Sequence, residues 1–116
     1  MTFQITFFKT CSGKIPVKEF IDNLYPKTQA KIARHFDLLE EFGLLLKEPC
    51  IKSLNYRNLY ELRVRWNKLC YRFLFYMLKY NIIVILHCYI KKSEKIPKNE
   101  LLISINRLKE FLKENK

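Results

Sequence analysis

Residues Leu59 to Tyr76 read LYELRVRW, then NK, then LCYRFLFY, and the fold turns on this stretch. Apolar and aromatic side chains recur at every second position on either side of Asn67-Lys68, the period of a half-buried strand. Two strands joined by a two-residue turn are therefore predicted, with Arg65 opposite Cys70, Arg63 opposite Arg72 and Glu61 opposite Leu74. A four-residue turn preserves this pairing and a three-residue turn destroys it. One sheet face then carries Tyr60, Leu62, Val64 and Trp66 with Leu69, Tyr71, Phe73 and Phe75, an apolar set for packing under helices. The other carries Glu61, Arg63, Arg65 and Arg72. Arginines directly opposite one another repel unless something anionic sits between them, and a phosphate is the natural occupant. The plainer alternative is that Glu61 neutralises one arginine, and water or a helix-end carbonyl the other.

Working outward toward the C-terminus, Ile82 to Ile90 is a further strand run. Strict alternation puts Ile83, Ile85, His87, Tyr89 and Lys91 on one face and Val84, Leu86, Cys88 and Ile90 on the other. Pro97 then opens a last helix with Leu101, Ile105, Leu108 and Leu112 as its apolar stripe. Toward the N-terminus, Phe3 to Phe8 reads as a first strand, broken by Ser12-Gly13. Pro16 starts a short helix with Val17, Phe20, Ile21 and Leu24 on one side. Lys27 to Phe42 forms a second, with Ile32, Ala33, Phe36 and Leu39 facing inward and Gly43 at its C-cap. The expected architecture is α+β, in the order β-α-α-β-β-β-α, with an antiparallel sheet packed by an N-terminal helical hairpin and a C-terminal helix.

A chain of 116 residues makes a single domain, 1–116, and 49% apolar residues with only two glycines and four prolines disfavour disorder. The formal charge of +11, from 22 basic against 11 acidic residues, exceeds what solubility needs and points to an anionic partner. A lysine-rich, compositionally biased proteome is the bland explanation of the same excess. Cys11, Cys50, Cys70 and Cys88 include no CxxC pair, so the reading is reduced cysteines, no zinc site, and a cytoplasmic chain with no membrane span.

The end of the last strand runs into Lys91, Lys92, Ser93, Glu94 and Lys95. Lysines beside His87 and Tyr89 offer phosphate donors and an aromatic face for a base. Taken singly, His87 reads as a hydrogen-bonded structural histidine and Lys95 as solvated surface. Metal-free RNA cleavage needs a group to take the 2′-hydroxyl proton, positive charge on the pentacoordinate phosphate, and a donor for the leaving oxygen. Arg63, Arg72 and Lys92 can supply the charge, and Lys91, Lys95, Tyr89 or His87 the proton transfer. No paired carboxylates, HExxH, Gly-rich phosphate loop or Ser/His/Asp set is present, so no metal and no cofactor is expected.

Four blocks, GKIPVKEFIDNL (Gly13 to Leu24), LYELRVR (Leu59 to Arg65), CYRFLFY (Cys70 to Tyr76) and HCYIKKSEKIPKNE (His87 to Glu100), together resemble the HigB-like, phage-derived branch of the RelE/ParE toxins. The resemblance implies a type II toxin: a ribosome-dependent, metal-independent mRNA endoribonuclease that arrests translation. It implies as partners a cognate helix-turn-helix antitoxin, the ribosome and mRNA, with operator DNA reached only through the antitoxin. The catalytic residues it implies are Arg63, Arg72, Lys91, Lys92 and Lys95; Arg65, His87 and Tyr89 are read from their own placement as RNA-binding and Glu61 as structural. A ParE-like gyrase-binding toxin and an inactive, antitoxin-binding phage remnant are the alternatives. The sequence departs from the family pattern at Ile96, where Thr or Ser is usual, and at Trp66, Asn67 and Lys68, where the turn usually carries glycines.

Overall fold

The computed structural model describes residues 2–47, 50–79, 81–92 and 95–114, so Ser93 and Glu94 of the lysine-rich turn lie outside the described residues. The elements are β1 (Gln4–Phe7), α1 (Pro16–Asp22), α2 (Pro26–Phe42), a 3-10 turn (Gly43–Leu46), β2 (Ile51–Tyr56), β3 (Leu59–Trp66), β4 (Leu69–Lys79), β5 (Ile82–Ile90) and α3 (Lys98–Glu114). They form an α+β domain with one five-stranded sheet in the order β1-β5-β4-β3-β2.

The expected sheet needs two corrections. It is mixed rather than antiparallel, because β1 runs parallel to β5. It also has an additional strand, β2, which pairs with β3. As an edge strand, β2 buries only Ile51 among IKSLNY and breaks register between Ser53 and Tyr56, so its hydrophobic alternation is weak.

The β3–β4 hairpin has the expected register along its whole length, including Arg63 opposite Arg72. Asn67 and Lys68 both have positive φ, 51° and 68°, the mark of a two-residue type I′ turn whose twist matches the strands it joins. Leu62, Val64, Phe73 and Phe75 form the main core with Val17, Ile32 and Leu39 from α1 and α2. Phe36 meets Phe73 edge-on, with ring centroids 5.1 Å apart. On α2 the inward face includes Thr28, whereas Ala33, expected there, is exposed. Gly43 does cap α2, with φ 55°, and a Cβ at that position would lie 2.4 Å from the Phe3 ring.

The other sheet face is covered by α3, where Leu108, Leu101 and Ile105 pack on Phe8, Leu59, Val84 and Leu86. Phe111 joins this cluster, while Leu112 of the expected stripe is partly exposed. A bulge in β5 changes which side chains reach this face. Phe75 pairs with Ile85 but Leu74 with His87, so Leu86 is an extra residue in the strand. Strict alternation put His87 and Tyr89 on the face of Ile83 and Ile85. The bulge turns them to the opposite face, toward α3 and Arg72. No helix among the described residues is long and apolar enough to cross a membrane.

Candidate functional site

The polar face of the hairpin holds a buried ion cluster. Glu61 bridges both arginines: Arg63 Nε donates to Glu61 Oε1 at 2.8 Å, and Arg72 Nη1 lies 3.0 Å from Glu61 Oε2. Strand geometry makes this possible, since Glu61 and Arg63 are two residues apart on β3 and Arg72 is cross-strand from Arg63. The anion between the arginines is thus a carboxylate of the chain itself rather than a phosphate, and Glu61 serves both arginines where a single pairing was expected. Arg72 Nη1 also donates to the Tyr89 hydroxyl at 3.2 Å. That contact exists because the bulge places Tyr89 cross-strand from Arg72 on this face. Burial pushes the Tyr89 phenol above its ordinary range, against the opposing pull of the Arg72 hydrogen bond and charge.

Arg72 is only 1% exposed, yet it forms the floor of an open cleft of about 350 Å³. Glu61 shares the floor, and Lys52, Asn55, Lys95 and Ile96 form the walls. Lys52 pairs with Glu61 across β2 and β3, so it belongs to this face of the sheet. Sequence reasoning missed it because β2 itself was missed. Arg63 is on the flank, where it lines a smaller concavity of about 110 Å³ with Arg65, His35 and Cys50.

Of the expected site residues, Arg63, Arg72, Tyr89 and Lys95 therefore gather around Glu61. Arg65 and Lys91 instead line a separate basic hollow at the hairpin tip, and Lys92 is exposed just past β5. His87 points to α3. Its Nε2 is 2.8 Å from Glu100 Oε1, and its Nδ1 accepts from Arg107 Nη1 at 3.2 Å. An arginine N–H can only donate, so the ring proton is assigned to Nε2 and the ring is neutral. Burial lowers the His87 pKa, the Glu100 hydrogen bond opposes the shift and the nearby Arg107 charge adds to it. Both ring nitrogens are committed to helix docking, which favours the structural reading of His87 over proton transfer. Its ring stacks on Tyr89 with centroids 6.0 Å apart.

Two other features bear on the chemistry. A concavity of about 620 Å³ is lined by apolar residues such as Phe3, Phe42, Leu45 and Met77, together with Tyr60 and Lys79 among the described residues. Among the described residues, one group of metal-ligating types comes together, Cys11 with Glu110 and Glu114. The thiol donates to the carboxylates at 3.1 and 3.2 Å, and those hydrogen bonds and charges push its pKa up to about 11. A thiol held protonated is a poor metal ligand.

A family model described as phage derived protein Gp49-like (DUF891) matches residues 19–109. That span runs from α1 into α3 and includes the whole ion cluster and cleft. No curated protein matches the chain.

Proposed function

This chain belongs to the Gp49-like family of phage-derived proteins, within the RelE/ParE-like toxin superfamily, and on that premise we propose that it is a type II toxin that cleaves mRNA on the ribosome. Membership of a toxin-like family also implies an antitoxin partner. The observation that carries the nuclease reading is the Glu61-bridged arginine pair under a cleft walled by Lys52 and Lys95. Cationic groups held rigidly by a buried carboxylate are preorganised for the charge that grows on phosphorus as it becomes pentacoordinate. The 2′-hydroxyl gives its proton to water as its oxygen bonds to phosphorus, the P–O5′ bond breaks, and the Lys95 ammonium donates a proton to the departing 5′-oxygen and regains one from solvent. The products are a 2′,3′-cyclic phosphate and a 5′-hydroxyl, with no metal involved. Lys91, Lys92 and Arg65 act on the flanking strand rather than on the reacting phosphate, and cleavage in the ribosomal A site uses the message already positioned there.

The test uses exposed residues, because truncating buried Arg72 would disturb folding as well as chemistry. Primer extension on a translated message should show cleavage by the unaltered chain, reduced about 10²-fold or more by Lys95→Gln and by Lys52→Gln. Lys113→Gln, on the exposed last turn of α3, should cleave normally. Intact message with all four chains, together with blocked gyrase supercoiling, would establish the gyrase-binding alternative instead. Harmless overproduction of the unaltered chain would point to an inactive antitoxin-binding module.

A further inference from the structure

The tip of the β3–β4 hairpin lies outside the cleft and carries its own concentration of charge. Arg65, Lys68 and Lys91 line a hollow of about 420 Å³ with Trp66 and Asn67, and no acidic side chain lines it among the described residues. On the opposite sheet face, toward α2, the Nζ of Lys31 lies 5.8 Å from the centre of the Trp66 ring. Like charges lining one hollow repel, a cost that an anionic ligand relieves.

The backbone supplies an independent argument. Lys68 has φ 68°, in the left-handed region where a side chain costs about 1 kcal/mol and where glycine is favoured. Local folding alone selects Asn-Gly for this turn. A lysine held there at a cost is a reason to look for work done by its side chain. Continuity is the third argument. Arg65 lines both the tip hollow and the small concavity that contains Arg63, and Arg63 binds Glu61 at the edge of the cleft. Arg65 thus links the tip to the flank of the cleft, where Arg63 is paired with Glu61.

We propose that the hairpin tip is a second RNA-backbone subsite, in which Lys68, Arg65 and Lys91 hold the phosphates of a strand flanking the one in the cleft. The inference rests on the reading of the chain as an RNA-cleaving toxin. An acidic protein segment is the weaker occupant, since the tip offers little apolar surface to anchor one: Leu69 is its only large exposed apolar side chain among the described residues. The subsite contributes to binding and takes no part in bond cleavage.

The experiment measures binding of a short single-stranded 2′-O-methyl RNA, which cannot be cleaved, across a salt series. Lys68→Gly should weaken binding about threefold to tenfold and lower the slope of log affinity against log salt by about 0.7, one phosphate contact on a single strand. Its melting temperature should stay level or rise, because glycine relieves the turn. Lys68→Arg should retain binding, and Lys113→Gln should match the unaltered chain. On translated message, Lys68→Gly should raise KM and leave kcat unchanged. The source of the strand is read from ribosomes free of message. Loss of co-sedimentation by Lys68→Gly identifies ribosomal RNA, and loss confined to the oligonucleotide identifies mRNA. If Lys68→Gly binds RNA and ribosomes like the unaltered chain, the subsite is refuted while the nuclease reading stands. If Lys68→Gly loses only the binding of a neutralising acidic protein, the tip is a protein surface and the proposal is wrong. If the unaltered chain binds neither RNA nor ribosomes, both readings fall together.

Discussion

The two faces of the β3–β4 hairpin come from the same eight cross-strand pairs and end in opposite physical states. Toward α1 and α2, Leu62, Val64, Phe73 and Phe75 are completely buried in a continuous apolar core. Toward α3, apolar packing covers only the part built on Leu59, Val84 and Leu86, and the rest is the Glu61–Arg63–Arg72 cluster facing an open cleft. The difference teaches where such a fold can keep a site. A helical hairpin clamps one face and supplies the packing energy and rigidity. A single helix covers part of the other face, and the buried charges occupy the part it leaves open, on strands whose opposite face is packed in the apolar core.

The largest expected effects test whether the two faces are stabilised by different means. Phe73→Ala, a cavity in the apolar face, should lower the unfolding free energy by about 3–5 kcal/mol in urea denaturation. Glu61→Leu should cost a similar amount, about 3–5 kcal/mol, for another reason: it leaves buried Arg72 and half-buried Arg63 without their carboxylate. The two should part company on compensation. Adding Arg72→Leu to Glu61→Leu should recover most of the loss, because a buried ion pair replaced as a unit is close to neutral, while activity stays abolished. A double variant as unstable as the single one would remove the electrostatic account of this face.

A smaller effect probes the clamp. Gly43→Ala forces a side chain into the left-handed region and against the Phe3 ring, and should cost about 1–3 kcal/mol in the same assay without changing RNA affinity.

The smallest concerns the dock of α3. The folded His87 pKa is below its ordinary 6.5, so between those two values the unfolded chain binds the extra proton. The contribution from neutral His87 is therefore fully present above pH 6.5 and is lost as pH falls toward the folded value. The stability of His87→Gln, neutral at every pH, should fall less between about pH 7 and pH 5 in paired urea titrations. Equal pH dependence in the two chains would place the titrating groups elsewhere.

The sequence determines the register of β3 on β4 once Asn67-Lys68 forms a two-residue turn, because alternation then puts both apolar sets on one face, as a three-residue turn would not. That register puts Arg63 opposite Arg72, as observed. It also determines the helices, whose prolines and apolar spacing are local signals, and the excess of positive charge. Three features were decided only in the tertiary structure. Edge strand β2 is held by backbone pairing to β3 rather than by a buried face of its own, so neither it nor Lys52 was legible. The extra residue at Leu86 shifts every later side chain of β5 to the other face, a choice made by its pairing with β4 and the packing of α3. The anion between the arginines came from Glu61, because exclusion of water from the sheet makes a built-in carboxylate necessary whenever no ligand is bound. Alternation within a strand is a property of the chain, whereas bulges, edges and buried charge balance depend on neighbours far apart in sequence.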